Sequence, residues 1–232
     1  MKKVLLVIMF VFCVSVNYAQ TKDFNGFKRL FKTIELPFVT DSCSIQDLVA
    51  QDTQFPRITK RMKNFIPKEL QEVLFKEQSV RAYYQIPISD KFVSLLMYAG
   101  SLMDGYWVTN SVFYLVNYDY DGNVIDYAKV ANFIQESGHS WCTITHDKIL
   151  YSSYEFYHEP VSFKYDEHKN VPMVESKTKY IIEPNGSFSK KLLFYREGMY
   201  EPTYNGCKFE FVRDFPQSKG VQSKTSDCER PK

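Results

Sequence analysis

Residues 117–123 form the string most suggestive of chemistry, because oxygen-bearing side chains alternate along it before a glycine. Asp119, Asp121 and Asn123 would offer the oxygen ligands that a calcium ion prefers. The twelfth position of such a loop is Ala128, however, where a calcium loop has a bidentate glutamate. A hairpin turn explains the same residues, so we take the hairpin as the favoured interpretation and calcium as the weaker one.

A cysteine hydrolase is the second chemistry to weigh, because Cys142 and His146 stand four residues apart. On one strand, at about 3.3 Å per residue, they would lie about 13 Å apart, whereas a thiolate–imidazole pair needs about 3 Å. His139, His158 or His168 could still reach Cys142 through the fold, but no spacing selects one of them.

Other catalytic signatures are missing from the sequence. It contains no His-x-His, no Gly-x-Ser-x-Gly, no phosphate-binding glycine loop and no dinucleotide motif. We therefore assign no catalytic residue and expect neither a cofactor nor a transition-metal site.

Tyrosine and phenylalanine are abundant, with 17 and 19 residues. Tyr151, Tyr154 and Tyr157 fall on one predicted strand, where alternation places Tyr151 and Tyr157 on one face and Tyr154 on the other. A phenol joins an apolar ring to a hydroxyl, which suits a partly wet binding surface. Tyr151 and Tyr157 are therefore the candidate ligand-binding residues, and ordinary packing within a sheet is the alternative.

The N-terminal 19 residues have the three parts of a secretory signal: Lys2-Lys3, an apolar run at residues 4–16, and Ala19 before the expected cut. A helix of the apolar run would be about 20 Å long, against about 30 Å of hydrocarbon in a bilayer. We expect export to the periplasm, the cell envelope or the exterior, and no membrane span in the mature chain.

Removal of this signal also removes Lys2 and Lys3, which leaves 27 of the 29 Lys and Arg residues against 27 Asp and Glu. The mature chain is therefore formally neutral. A neutral chain lacks the basic surface expected of a nucleic-acid-binding protein, so we expect no nucleic-acid partner.

Four cysteines remain after the signal: Cys43, Cys142, Cys207 and Cys228. In an exported protein an even number favours one or two structural disulfides, and four cysteines allow three pairings. Buried free thiols are the alternative. Cys207 with Cys228 is one pairing to consider, because it would staple the C-terminal tail.

Short helices are predicted in the first part of the mature chain, residues 20–78. An apolar stripe at three- and four-residue steps follows Asp23. Ser44–Gln51 has the start of a capping box, and Pro67 stands where the first position of a third helix would be.

Strands are predicted over residues 79–215, from aromatic and β-branched runs bounded by turn residues. The nine candidates are Val80–Ile86, Phe92–Tyr98, Trp107–Tyr118, Val124–Val130, Trp141–Thr145, Ile149–Tyr157, Met173–Ile182, Phe188–Tyr195 and Cys207–Val212.

Two hairpin turns are specified by glycine, at residues 119–122 and 183–186. Glu175, Lys177 and Lys179 alternate along one predicted strand and should share a wet face. The predicted fold is mainly β, α+β at the margin: an antiparallel meander of about 8–9 strands, as a curved sheet or a barrel, with short N-terminal helices. Residues 216–232 are expected to be disordered.

The leading hypothesis is an exported, non-enzymatic β-rich protein that binds a protein, a glycan or a small ligand through an aromatic surface. The alternative is a cell-envelope hydrolase whose cysteine or carboxylate site is concealed by sequence order.

Overall fold

The computed structural model describes residues 23–41, 43–44, 47, 52–76, 79–100, 110–134, 138–156, 170–203 and 208–214. The helices that lie wholly within these ranges are α1 (Phe24–Lys28), α2 (Lys68–Lys76) and two 3-10 turns, Asp52–Gln54 and Lys60–Phe65. The strands are β1 (Lys32–Thr33), β2 (Phe38–Val39), β3 (Ser79–Ile86), β4 (Val93–Gly100), β5 (Asn110–Tyr118), β6 (Val124–Ile134), β7 (Gly138–Ile144), β8 (Lys148–Phe156), β9 (Val171–Ile182), β10 (Phe188–Thr203) and β11 (Lys208–Arg213).

Strands β3 to β11 form one antiparallel meander in chain order, so the predicted fold class is confirmed. Within the described residues the sheet has eleven strands, more than predicted, because two short strands of the N-terminal segment join it. β1 pairs in parallel with β3, and β2 pairs with β7. The edge strands β1 and β11 do not pair with each other, so the sheet is open and the barrel alternative is wrong.

Both predicted hairpin turns are present. The Gly122 N–H donates to the Asp119 carbonyl at 3.1 Å, and the Gly186 N–H donates to the Glu183 carbonyl at 2.8 Å. Gly122 has a φ of 81° and Gly186 a φ of 87°. This is left-handed backbone that glycine adopts without a steric penalty, which is why glycine closes both turns.

The face of the sheet that we call the inner face buries the larger core. It carries Leu96, Tyr98, Phe113, Leu115, Ile144 and Ile149 among others. The Asn117 side-chain amide donates to the Gly186 carbonyl at 2.7 Å and so joins the end of β5 to the β9–β10 turn. Because these segments are four strands apart in the sheet, the contact requires the sheet to curl around its inner face.

The opposite, outer face of β3–β5 is covered by the N-terminal segment. The Phe27 and Phe65 rings stack at 4.7 Å between centroids, and the Tyr118 hydroxyl donates to the Phe65 carbonyl at 2.5 Å. Asp23 caps α1 by accepting from the Gly26 N–H at 2.7 Å. As predicted, α2 starts directly after Pro67.

Two predictions about local structure need correction. The helix after Asp23 ends at Lys28, so it is shorter than its apolar stripe suggested. Glu175 was expected on a wet face with Lys177 and Lys179, but it is buried, because β11 and the end of β10 cover that part of the sheet. The predicted signal and the tail at 216–232 lie outside the described residues, as does most of Ser44–Gln51. Within the described ranges, no helix has the length and apolar character to cross a membrane.

Candidate functional site

The loop considered for calcium is a hairpin turn between β5 and β6. One carboxylate oxygen of Asp119 accepts from the backbone N–H groups of Asp121, at 3.0 Å, and Asn123, at 2.8 Å. The other oxygen accepts from the Asn123 side chain at 2.8 Å. Partial desolvation alone would raise the pKa of Asp119, but these hydrogen bonds outweigh it and hold the pKa below its usual value.

The turn thus uses the oxygens that a calcium ion would need, and its geometry gives the calcium interpretation no support. Among the residues that the structure describes, no group of three or more His, Cys, Asp or Glu side chains is arranged to hold a metal.

Cys142 is a buried free thiol on the inner face, so the disulfide considered for it is wrong. Its backbone N–H donates to the Thr40 hydroxyl at 2.9 Å. Burial raises the pKa of the thiol to about 12, and the hydrogen bond to Thr40 offsets only part of that rise. The thiol is therefore protonated at neutral pH and poorly suited to nucleophilic attack.

None of the histidines with a described position is a partner of Cys142. His146 lies past the end of β7, where its Nδ1 atom is 3.1 Å from the Ile88 carbonyl oxygen. His139 lies three residues before Cys142 on β7 and therefore points to the outer face. His158 and His168 lie outside the described residues, as do Cys207 and Cys228.

Tyr151 lies on the inner face of β8, directly opposite Cys142 in the ladder. It is 7% exposed, and burial raises the pKa of its phenol to about 12. The hydroxyls of Ser140 and Ser153 offset part of this rise in the pKa. Tyr157, the other tyrosine proposed as a ligand-binding residue, lies outside the described residues.

Beside Tyr151, a set of hydrogen-bonded polar groups crosses the inner face. The Ser153 and Ser176 hydroxyls are 2.8 Å apart, and the Ser140 hydroxyl donates to the Asn132 side chain. Buried polar groups that bond to one another are satisfied and support the fold. This network has a structural explanation and needs no ligand.

An aromatic cluster lies on the outer face of β7–β11. Its rim, which we call the outer aromatic surface, is half-buried and consists of Trp141, Tyr154, Phe156, Arg196 and Phe211. Below the rim lie four buried side chains: His139, Glu175, Tyr200 and Phe209.

The aromatic rings of this cluster are in direct contact. The Trp141 and Tyr154 centroids are 5.2 Å apart, and those of Tyr154 and Phe209 are 5.3 Å apart. The Tyr154 hydroxyl also donates to the Phe209 carbonyl at 3.2 Å. Because Phe209 is on β11 and also packs 5.7 Å from His139 on β7, this end of the sheet bends toward its outer face.

A charged pair lies beside these rings. Arg196 donates to Glu175 at 3.0 Å, and the Tyr200 hydroxyl donates to the same carboxylate oxygen at 3.3 Å. The guanidinium lies 3.8 Å from the centroid of the Phe211 ring. Desolvation would lower the pKa of Arg196, but its hydrogen bonds to Tyr200 and Glu175 raise it overall. The arrangement fixes a cation against an aromatic face.

A β-bulge in β10 creates this pairing. The ladder pairs Leu192 with Thr178 and then Phe194 with Lys177, so Leu193 is an extra residue. Arg196 consequently stands opposite Glu175. If the same sequence paired with β9 without a bulge, Tyr195 would stand opposite Glu175, and Arg196 would point to the other face.

Sequence reasoning missed the outer aromatic surface, although part of it had a signal. The turn between β7 and β8 pairs Ile144 with Ile149, and counting outward from it pairs His139 with Tyr154. The same count places Trp141 on the face of Tyr154. The bulge and the approach of β11 to β7 have no comparable signal in the residue pattern.

A cleft of about 460 Å³ lies against β2 and is lined by two carboxylates, Glu35 and Asp47, together with Tyr84. Both carboxylates are exposed to solvent. Hydrolases that use paired carboxylates place at least one of them in a dry environment that keeps it protonated. This cleft has no such feature.

Comparison with known protein families, curated proteins and solved structures gave no match to this chain.

Proposed function

We propose that the protein is an exported, non-enzymatic binding protein and that the outer aromatic surface is its binding site. The observation that carries the proposal is the half-exposed group of Trp141, Tyr154, Phe211 and Arg196 around the buried Glu175. Tryptophan, tyrosine and arginine are the residue types that contribute most to binding energy at protein interfaces.

Among the ligand classes considered, a protein partner has the most support. A small ligand needs a concave site that encloses most of its surface, whereas these side chains lie on one face of a sheet. The ion pair between Arg196 and Glu175 also holds the guanidinium in place before binding, which lowers the entropic cost of the interface. A glycan remains the second ligand class.

The binding test uses two rim variants and one control. Trp141→Ala and Phe211→Ala remove rim side chains, while Tyr127→Ala removes a half-buried aromatic from β6, away from the surface. Each protein is tested against the exported proteins of its source and against a glycan array. Both rim variants should bind at least about tenfold more weakly than wild type, and the control should bind normally.

Equal binding by all four proteins would refute the assigned site. Absence of any protein or glycan ligand for wild type would refute the binding function itself. Circular dichroism of each variant ensures that a loss of binding does not reflect unfolding.

Export is proposed from the signal-like segment that ends at Ala19. Cell fractionation followed by N-terminal sequencing should place the protein outside the cytoplasm with Gln20 as its first residue. Uncleaved protein in the cytoplasm would contradict the proposal.

A structural disulfide is part of the same proposal, with Cys43 linked to Cys207 or to Cys228. Cys142 is a free thiol, whereas Cys43 is a bonded cysteine. Mass spectrometry of unreduced peptides should find Cys43 linked to Cys207 or Cys228. A peptide with Cys43 as a free thiol would contradict the proposal.

The alternative of a cell-envelope hydrolase has less support. Its cysteine version needs a reactive Cys142, but the pKa of that thiol is raised to about 12 by burial. A thiol-reactive probe at neutral pH should therefore label Cys142 only after unfolding. Rapid labelling of the folded protein would revive the hydrolase.

A further inference from the structure

Strand β10 has an open edge over more than half of its length. It pairs with β9 from Phe188 to Tyr200, but β11 joins its other side only at Met199–Thr203. Among the described parts of the chain, no strand pairs with the other side of residues 189–197, which we call the open edge. Such an edge presents backbone groups that a further strand can pair with.

The middle of the open edge is apolar and exposed. Leu192 is 56% exposed, Leu193 51% and Tyr195 55%, and the half-buried Phe194 completes a run of four apolar residues. Runs of exposed apolar residues on a strand are avoided in soluble proteins unless another surface covers them. Lys190 and Glu197 flank the run with opposite charges.

We propose that a second copy of this chain covers the open edge. The two β10 strands would pair in antiparallel fashion about a two-fold axis between Leu193 and Phe194. Leu192 of one copy then stands opposite Tyr195 of the other, and Lys190 stands opposite Glu197. Each of these pairs occurs twice because of the symmetry.

The faces of the side chains agree with this register. Lys190, Leu192, Tyr195 and Glu197 pair with Tyr180, Thr178, Ser176 and Val174 of β9, respectively, so all four lie on the inner face. The bulge at Leu193 is what allows two residues of even number and two of odd number to share a face. Both copies carry the bulge at the two-fold axis. Inner-face residues of one copy therefore stand opposite inner-face residues of the other on both sides of the axis.

The charges agree as well. The register places a lysine opposite a glutamate at both ends of the apolar run. On the outer face it places Lys191 near Arg196 of the second copy, but Arg196 is already paired with Glu175 at 3.0 Å. The like-charge contact is therefore weakened by a neutralising carboxylate.

The C-terminal segment of the same chain is a poorer occupant. It leaves β11 in the direction that would carry it along the open edge. Residues 215–232 contain only two large apolar side chains, Phe215 and Val221, and Pro216 cannot donate to a ladder. This segment could not bury the four apolar residues.

Sedimentation equilibrium of the purified protein tests the proposal through a charge exchange. Wild type should dimerise. Lys190→Glu and Glu197→Lys should each raise the dimer dissociation constant by about tenfold or more, because like charges then face each other twice. The double variant, Lys190→Glu with Glu197→Lys, should recover to within about threefold of wild type.

Lys179→Glu is the matched control, since it makes the same charge change on the outer face of β9, and it should dimerise like wild type. A wild-type protein that stays monomeric up to about 1 mM would overturn the proposal. So would a double variant that dimerises no better than the single variants. Trp141→Ala should leave the dimer intact, so the dimer and the proposed function can fail independently.

Discussion

Strands β4 and β10 lie in the same meander, yet their surroundings differ completely. Every residue of β4 is buried, because the inner core covers one face and the N-terminal segment covers the other. Over residues 189–195, β10 is exposed except for the half-buried Phe194. The comparison teaches that the burial of a strand in this protein follows from the segments that cover it. Its place within the sheet and its apolar content do not decide it.

The largest effect is expected where the N-terminal segment covers β4 and β5. Phe27 is 1% exposed and packs on the rings of Phe65 and Tyr118. Phe27→Ala should lower the free energy of unfolding by about 3–5 kcal/mol, measured by urea denaturation, because it leaves a cavity against the sheet. A loss below about 1 kcal/mol would mean that the segment does not protect this region.

An intermediate effect is expected at Glu175, the buried carboxylate that pairs with Arg196 of β10. Glu175→Ala leaves Arg196 without its carboxylate partner, and the Arg196 side chain is 35% exposed, so water replaces part of the interaction. We expect a loss of about 1–2 kcal/mol in the free energy of unfolding. Lys179→Ala, which removes a half-buried lysine from the same face of the same strand, should change the free energy of unfolding by less than about 0.5 kcal/mol. Equal losses for the glutamate and lysine variants would refute the inference that the ion pair of Glu175 with Arg196 stabilises the fold.

A pH effect should follow from Tyr154. Burial raises its pKa to about 12 in the folded protein, while the phenol in the unfolded chain has the ordinary value of 10.0. The folded state thus holds the proton more tightly, so its stability should fall as the pH rises from about 10 to about 12.

The comparison of Tyr154→Phe with wild type isolates this contribution. The variant should lose less stability between the two pH values, as followed by urea denaturation at each pH. Phe156→Leu, which changes packing in the same cluster without removing an ionisable group, should keep the wild-type slope. Identical slopes for wild type and Tyr154→Phe would contradict the prediction.

The smallest effect is expected on the open edge. Leu192→Ser exchanges an exposed apolar side chain for a polar one and should change the free energy of unfolding of the monomer by less than about 0.5 kcal/mol. Measurement at a concentration below the dimer dissociation constant separates this effect from association. A loss similar to that of Phe27→Ala would mean that β10 is covered like β4.

Much of the fold could be predicted from local patterns. All nine predicted strands occur, since alternation and glycine-closed turns are short-range properties. β1 and β2 were missed because two-residue strands have no pattern of their own. β10 is longer than predicted because Arg196, Glu197 and Gly198 resemble the end of a strand. Pairing with β9 carries the strand through these residues, and β11 then supports Met199–Thr203.

The candidate site was harder to predict than the fold. Tyr151 was chosen because the alternation of side chains along the strand places it on the same face as Tyr157. Alternation does not tell which face of a curled sheet is open to a ligand. Tyr154, on the other face, reaches the outer aromatic surface only because β11 bends toward β7. The burial of Glu175 depends on the bulge at Leu193, and no residue type announces a bulge at that position.

The extra residue at Leu193 divides β10 into two halves with opposite numbering. Before it, even-numbered side chains point inward; after it, odd-numbered ones do. Deletion of Leu193 would restore a regular ladder without rotating the stretch down to Thr203, because Phe194 would still pair with Lys177 and Arg196 with Glu175. A single-codon deletion at Leu193 should therefore preserve the ion pair of Arg196 with Glu175 and convert the bulge into regular strand.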